Sequence, residues 1–292
     1  MINHREDADW REKLKVNAGA AGRGTCLAEQ PVHLCLIMRP LPLHLPVLVS
    51  LLLARVMAAE ELPPPEATEQ WTPVPAVIAA PTGGVPSDAI VLFDGKNLDA
   101  WEPVRTGEPG WKIEDGAMVI VPNPKPCDQR TKIALGDIQL HLEFRTPAKI
   151  VGSGQGRGNS GIYFMGLYEL QILDSWNNET YVNGQAASIY KQQPPLVNAS
   201  RSPGEWQTYD VVFIAPRFAA DGRLASPARM TAFHNGVLVQ YDAVLRGPTV
   251  FRGTPRYAPH AAKLPLVLQD HRNPVAFRNI WVRELTLPEA KP

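Results

Sequence analysis

Carboxylates, amides and a guanidinium occur at alternate positions in two short segments of the chain. Glu143 and Arg145 are two residues apart, and so are Glu169 and Gln171, with Asp174 shortly after them. Successive side chains of a strand point to opposite faces, so each pair shares one face of its sheet. Such a face is either a solvated surface, which is the commoner case for any single residue, or a groove that binds a polar ligand.

A third segment ends in three polar side chains, Gln269, Asp270 and His271. Histidine titrates near neutral pH, so His271 is a candidate general acid. Carboxylates on neighbouring strands would supply the base in the same chemistry. The sequence alone does not show whether these three segments converge.

Several familiar catalytic motifs are missing from the sequence. The glycine-rich stretch 152–161 lacks the Lys-Ser/Thr pair of a phosphate-binding loop, and it reads as a flexible loop between strands. There is no Gly-x-Ser-x-Gly elbow, no Cys-x-x-Cys pair and no His-x-x-x-His pair. A nucleotide-binding loop, a serine-hydrolase elbow and a zinc site are therefore not indicated.

The segments that would position these side chains are short, and turn residues separate them. The run 138–145 alternates apolar and polar residues, and Asp115-Gly116 and His234-Asn235-Gly236 suit tight hairpin turns. No long amphipathic helix is evident. The pattern predicts an all-β fold, an antiparallel β-sandwich or jelly roll, with strands over 89–93, 111–114, 117–121, 138–145, 161–165, 168–173, 209–214, 228–233, 237–241, 264–269 and 276–285.

Composition narrows the class of protein further. The 292 residues include 29 Lys+Arg and 29 Asp+Glu, so the formal net charge is zero, and no basic stripe indicates nucleic-acid binding. The 29 prolines argue against a mostly helical protein. Three cysteines cannot form a dense disulfide framework.

The N-terminal region differs from the rest of the chain. Met38-Arg39 followed by the apolar run 41–53 is typical of a secretory signal peptide, with Met38 as the start. A hydrophobic helix within a longer N-terminal domain is the alternative. We expect an extension plus signal peptide at 1–59, a Pro-rich linker at 60–87, one β-domain at 88–286 and a tail at 287–292. The mature protein would then be periplasmic or extracellular and have no transmembrane span.

The β-domain resembles the 3-keto-disaccharide hydrolase domain family. The resemblance rests on a series of short motifs in order along the whole domain, namely Leu92-Phe93-Asp94-Gly95-Lys96-Asn97-Leu98, Leu142-Glu143-Phe144-Arg145, Gly158-Asn159-Ser160-Gly161-Ile162-Tyr163, Tyr168-Glu169-Leu170-Gln171-Ile172-Leu173-Asp174, Ser188-Ile189-Tyr190, Gly204-Glu205-Trp206, Leu268-Gln269-Asp270-His271 and Phe277-Arg278-Asn279-Ile280. It implies a concanavalin-like jelly roll of a secreted or periplasmic bacterial protein. It also implies cleavage of glycosides that are oxidised to a ketone at sugar carbon 3.

The chemistry that the resemblance implies needs a base, an enolate stabiliser and a proton donor. A ketone at carbon 3 acidifies the hydrogen on carbon 2, so a base can remove it and the enolate can expel the group on carbon 1 before water adds. Direct hydrolysis by two carboxylates is the competing mechanism.

The candidate residues take the following roles under this resemblance. Glu169 is the base or a metal ligand, Asp174 its partner, and His271 the acid; Arg145 or a divalent cation stabilises the enolate. The remaining candidates position the substrate: Glu143, Asn159, Gln171, Tyr190, Lys191 and Gln269. Glu143, Glu169, Asp174 and His271 would also suit Ca²⁺ or another divalent ion, although no spacing rule requires one.

Two other functions are compatible with the same residues, because a fold does not fix a function. One is a non-catalytic carbohydrate-binding domain, which an aromatic platform without convergent carboxylates would favour. The other is a structural or adhesion domain of the cell envelope, which a featureless groove would favour. Carboxyl and imidazole groups with perturbed pKa values in one cavity would favour the enzyme.

Overall fold

A computed structural model describes residues 62–105 and 111–287. The described residues fall into two units, one that ends at Pro73 and one that begins at Val74. The described part of the first unit, residues 62–73, is exposed and contains one 3₁₀ turn, Pro65–Thr68. The predicted signal peptide and start residue lie outside the described residues.

The second unit contains two large antiparallel sheets and a two-stranded ribbon. The eight-stranded sheet has the order β13-β12-β9-β6-β15-β4-β3, with β1 also paired to β15; its strands are β1 (Ile90–Phe93), β3 (Trp111–Glu114), β4 (Ala117–Ile120), β6 (Ile138–Arg145), β9 (Gln207–Ile214), β12 (Arg229–His234), β13 (Val237–Val244) and β15 (Ala276–Glu284).

The five-stranded sheet has the order β2-β5-β14-β7-β8, and its strands are β2 (Trp101–Pro103), β5 (Gln129–Leu135), β7 (Ser160–Phe164), β8 (Tyr168–Ile172) and β14 (Leu264–Leu268). The ribbon pairs β10 (Arg217–Phe218) with β11 (Leu224–Ser226). The described helical elements are single 3₁₀ turns, of which Gly154–Gly156 and Val182–Gly184 lie in this unit.

Alternation along β6 shows how the core forms. Leu140, Leu142 and Phe144 are buried, while the residues between them are partly exposed on the outer face. Each fully buried apolar side chain contributes about 1.5–3 kcal/mol, so this inner face supplies a large part of the stability. The two sheets share one apolar core, which confirms the predicted all-β sandwich.

Strands β7 and β8 differ from β6 because they are buried on both faces. Ile162 and Leu170 face the core as a pair, whereas Tyr163 pairs with Glu169 on the opposite face. All five residues of β8 are buried, including the polar Glu169 and Gln171. Loops therefore cover the outer face of this sheet, and they enclose polar side chains there.

One central strand was not predicted from the sequence. β5 has the sequence Gln-Arg-Thr-Lys-Ile-Ala-Leu, which lacks the apolar alternation of a half-buried strand. Its polar residues Gln129 and Thr131 are nevertheless buried, at 2% and 0% exposure. Pairing with β2 and β14 holds β5 in the sheet, although its side-chain pattern does not indicate a strand.

The glycine-rich stretch is a loop, as predicted, and hydrogen bonds hold it in place. The Gly154 N–H donates to Asn178 Oδ1 at 2.8 Å, and the Asn178 amide donates to the Gly154 carbonyl at 3.0 Å. This loop leads into β7 and forms one wall of the site described below. Within the described residues, no helix is long and apolar enough to cross a membrane.

Candidate active site

A cavity of about 600 Å³ lies over the outer face of the five-stranded sheet. Strands β7 and β8 supply its floor, and loops before β7, after β8, after β13 and after β14 supply its walls. The lining residues are Gln155, Asn159, Tyr163, Glu169, Gln171, Tyr181, Tyr190, Lys191, Thr249, Phe251, Gln269 and His271. Seven of the ten predicted site residues therefore meet in one cavity.

Glu169 is the central group of this floor. Its side chain is only 2% exposed, and its Oε2 atom has no hydrogen-bond partner among the described residues. Burial raises the pKa of this carboxyl to about 8; the neighbouring Tyr163 hydroxyl opposes the shift, and the charge of Asp128 adds to it. A carboxyl with such a pKa is a stronger base than an ordinary glutamate.

Backbone and side-chain contacts fix the position of this carboxyl. The Glu169 N–H donates to Thr249 Oγ1 at 3.0 Å, and the Glu169 carbonyl accepts from the Tyr190 N–H at 3.2 Å. Hydrogen bonding favours the Gln171 amide orientation in which nitrogen donates to Glu169 Oε1 at 3.1 Å and to the Ser160 carbonyl at 3.0 Å. The strand period of two thus places an amide donor beside the carboxylate.

Gly161 leaves the space that the carboxylate occupies. A Cβ atom at this position would lie 2.7 Å from Glu169 Oε1 and 3.2 Å from the Tyr163 ring. We predict that Gly161→Ala lowers kcat/KM about 100-fold for the glycoside cleavage that the family resemblance implies. The flexible end of the Glu169 side chain would move away from its position, while the strand stays folded. Steady-state kinetics together with a thermal melt measure this effect.

Gly116→Ala provides the comparison variant, since a Cβ atom there has no neighbour within 4 Å. Its φ of 70° imposes backbone strain, so it should lower stability but leave the cavity unchanged. Equal activity of Gly161→Ala and wild type would show that the carboxylate position does not matter.

Aromatic side chains and one ammonium group form the rim of the cavity. The Tyr181 and Tyr190 hydroxyls are 2.6 Å apart, and Lys191 Nζ donates to the Phe251 carbonyl at 2.8 Å. Lys191 Nζ also lies 4.1 Å from the centroid of the Phe251 ring. Burial raises the pKa of Tyr190, so its hydroxyl stays protonated and available as a donor.

His271 lies at another side of the cavity, next to two acidic residues. Burial lowers the pKa of its imidazole, with opposing effects from the carboxylates of Asp270 and Asp128. Asp128 Oδ1 accepts the Asp270 N–H at 2.8 Å, and burial raises the pKa of Asp128. The lowered pKa favours the neutral imidazole, which suits a proton acceptor better than the acid predicted from the sequence.

Asp174 does not join this cavity. Its Oδ2 atom is 2.6 Å from Arg157 Nε, and its Oδ1 atom accepts the Trp176 N–H at 3.2 Å. Asp174 comes two residues after β8 ends, and its backbone N–H donates to the Arg157 carbonyl in the glycine-rich loop at 3.3 Å. The role of partner to Glu169 therefore does not fit the position of Asp174.

Glu143 and Arg145 lie on a different surface. Both project from β6 on the outer face of the eight-stranded sheet, so the apolar core separates them from Glu169. Glu143 Oε2 is 2.7 Å from Arg278 Nε. The guanidinium carbon of Arg145 lies 4.7 Å from the centroid of the Trp206 ring. They do share one face, as predicted, but it is not the face of the cavity.

The four candidate cation ligands do not converge. Arg157 and Arg278 neutralise Asp174 and Glu143, and only Glu169 and His271 face the cavity. In the part of the chain that the structure describes, no group of three or more His, Cys, Asp or Glu side chains could hold a metal. These four side chains therefore do not form one site for a divalent cation.

Five of the lining residues were not among the predicted site residues: Gln155, Tyr163, Tyr181, Thr249 and Phe251. Tyr163 could have been identified from the sequence, because it is two residues after Gly161 in a predicted strand and therefore lies on the same face of that strand. The others lie in loops, where no periodicity indicates the direction of a side chain.

Comparison with known proteins agrees with this architecture. The family model of the 3-keto-alpha-glucoside-1,2-lyase-like domain matches residues 88–283. A candidate glycosyl hydrolase from Parabacteroides distasonis ATCC 8503 is 45% identical, with a TM-score of 0.70 over 76% of this chain and 97% of its own. A second one from the same organism is 20% identical, with a TM-score of 0.50 over 68% and 94%, and shares the fold.

No curated protein matches the chain. The family model and the 45% identical structure support a carbohydrate-active domain. The chain belongs to the 3-keto-alpha-glucoside-1,2-lyase-like domain family.

Proposed function

We propose that the protein cleaves the glycosidic bond of 3-keto-glycosides by eliminating the group on carbon 1, with Glu169 as the base. The observation that carries this proposal is a single buried carboxyl in a cavity of sugar size. Among the described lining residues, Glu169 has the only carboxylate. Hydrolysis by two carboxylates needs a second one within about 10 Å across the scissile bond, and none of the described lining residues supplies it.

The first step transfers the hydrogen on carbon 2 to Glu169 as a proton. The electron pair moves into the ketone and forms an enolate, which then expels the oxygen on carbon 1 and leaves a carbon 1–carbon 2 double bond. The raised pKa of Glu169, caused by burial, makes this carboxylate a base of suitable strength. Lys191 and the Tyr163 hydroxyl are the cavity groups suited to stabilise negative charge on the oxygen.

The departing oxygen requires a proton, for which the Tyr181–Tyr190 hydroxyl pair is the candidate donor. In the second step, water adds to carbon 1 and carbon 2 recovers a proton from Glu169. Neutral His271 is suited to accept the proton from that water, because burial lowers its pKa. The proton that His271 takes from the water returns through solvent to the tyrosine pair, so Glu169, His271 and the tyrosines all regain their starting forms. The products are a 3-keto sugar and a free alcohol.

The pH profile follows from the state of Glu169. Only the carboxylate form can act as the base, and with a pKa of about 8 it is a minor species at pH 6. We expect kcat/KM to rise roughly 50-fold between pH 6 and pH 8 and then to level off. Initial rates at several pH values, corrected for the spontaneous elimination of the substrate, measure the profile; a flat profile would show that the pKa of Glu169 is not raised into this range.

Incubation of the purified protein with 3-keto-glucosides and 3-keto-disaccharides, with and without EDTA, tests the proposed reaction. Release of the aglycone that EDTA does not change is the expected result. The aromatic rim of Tyr181, Tyr190 and Phe251 would also suit a non-catalytic sugar-binding domain. Saturable binding of the same sugars without release would support that second function.

A further inference from the structure

A second cavity, of about 320 Å³, lies beside the first. The same two loops line both cavities. Gln155 and Asn159 face the first cavity, whereas residues 156–158 between them face the second. Likewise His271 faces the first cavity, and the next two residues, Arg272 and Asn273, face the second.

A short hydrogen bond joins these two loops into one wall. The Asn159 N–H donates to Asn273 Oδ1 at 2.7 Å. The wall is therefore about one backbone thick between the cavity that holds Glu169 and the second cavity. A glycoside whose sugar occupies the first cavity can extend its leaving group over this wall.

The second cavity carries excess positive charge. Lys149, Arg157 and Arg272 line it, together with one acidic residue, Asp174. Arg157 and Asp174 neutralise each other at 2.6 Å. Asp270 Oδ1 accepts the Arg272 backbone N–H at 2.8 Å, and Arg272 Nη2 donates to the Pro124 carbonyl at 3.0 Å. Among the described residues, no carboxylate forms an ion pair with the Lys149 ammonium or the Arg272 guanidinium, so both side chains keep a net positive charge.

Apart from Asn273, the other side chains that line this cavity are apolar. Pro122, Pro147 and Pro274 line it, and so do Ile150 and Val151, which are 52% and 68% exposed. Apolar walls with two cations suit a hydrophobic body that carries a negative group. A second neutral sugar would leave both charges unused.

We propose that the second cavity binds the leaving group of the substrate and favours one that bears a negative charge on an apolar ring. This inference rests on the proposed function for the origin of the ligand. The ring would contact the proline and aliphatic side chains, and the anionic substituent would face Lys149 and Arg272. The selectivity would come from these two side chains and not from the groups around Glu169.

Two leaving groups of similar shape test the selectivity: 4-carboxyphenyl and its neutral isostere 4-carbamoylphenyl, each as the 3-keto-glucoside. We expect about fivefold higher kcat/KM for the carboxylate in wild type at low salt, as two exposed ion pairs allow. The preference should fall toward one in the double variant Lys149→Met/Arg272→Met, which keeps the aliphatic stems, and also in high salt. Lys112→Met on β3, remote from both cavities, should retain it.

Binding of the free phenols separates this inference from the proposed reaction. Saturation-transfer NMR with 4-hydroxybenzoate and 4-hydroxybenzamide should show stronger binding of the acid to wild type, and no such difference with the double variant. That result supports the subsite even if neither glucoside is cleaved. Equal binding of both phenols to wild type, or a preference that survives in the double variant, would overturn the inference.

Discussion

Glu169→Gln is expected to lower turnover of a 3-keto-glucoside by at least about 1,000-fold, the upper range for loss of a positioned base. The amide keeps the shape of the side chain but cannot accept the proton from carbon 2. Because Glu169 contributes the only carboxylate among the described lining residues, no neighbour is placed to replace it. Single-turnover rates with the purified variant measure the loss.

The same variant should be more stable than wild type at alkaline pH. Glu169 has a higher pKa in the folded protein than in the unfolded chain, so the folded protein binds more protons between about pH 4.5 and pH 8. Wild type therefore loses stability as the pH rises through this window, while the glutamine variant does not. Denaturant unfolding at pH 8.5 should show a gain on the order of 1–3 kcal/mol.

The combination of lost activity and gained stability distinguishes a base from a structural glutamate. A structural residue would lose stability on substitution at every pH. Glu102→Gln serves as a control, because this carboxylate forms an exposed pair with Arg130 and does not face the cavity. If Glu169→Gln unfolds more easily than wild type at pH 8.5, the carboxylate holds the fold and the catalytic assignment is wrong.

Asp174→Asn is expected to destabilise the protein by about 3–5 kcal/mol, because it leaves a buried guanidinium without its counter-ion. The side chains of Asp174 and Arg157 are 2% and 10% exposed, and the atoms that pair are 2.6 Å apart. This loss is a large share of the roughly 5–15 kcal/mol that stabilises a typical domain. Urea unfolding of the variant at pH 7 measures it.

The control is Asp94→Asn, which breaks the exposed pair with Lys96 and should change stability far less, because solvent screens this pair. Activity of Asp174→Asn, normalised to folded protein and measured with a leaving group too small to reach the second cavity, should remain close to wild type, since Asp174 lines the second cavity and not the first. Unchanged stability together with lost activity would restore Asp174 to the catalytic role that the sequence predicts.

The sequence predicts most of the strands because their alternation is strong. Strand β6 has the predicted bounds, 138–145, and β3 has the predicted bounds, 111–114. Strand β5 is not predicted, because its buried residues include Gln129 and Thr131, whose polarity would place them on the surface. The alternation of apolar and polar residues predicts which side chains of a strand are buried. This prediction fails where the buried side chains are polar.

For the site, too, the local sequence predicts which side chains share a strand face but not which strands lie next to each other. Glu169 and Gln171 share a face because the strand period requires it, and the motif around them indicates the family. The order of the strands in the two sheets decides which other polar side chains lie near Glu169 and Gln171. Glu143 and Arg145 resemble Glu169 and Gln171 in sequence, yet they occupy the other sheet. Only the topology separates these two pairs.

The isotope effect at carbon 2 tests the proposed elimination most directly. Two samples of one 3-keto-glucoside, with hydrogen or deuterium at carbon 2, are cleaved by wild type under single-turnover conditions, and aglycone release is followed. If Glu169 removes this hydrogen in the slow step, the deuterated sample reacts measurably more slowly, and Glu169→Gln cleaves neither. Release at equal rates from both samples, or no release from either, would contradict the proposed reaction.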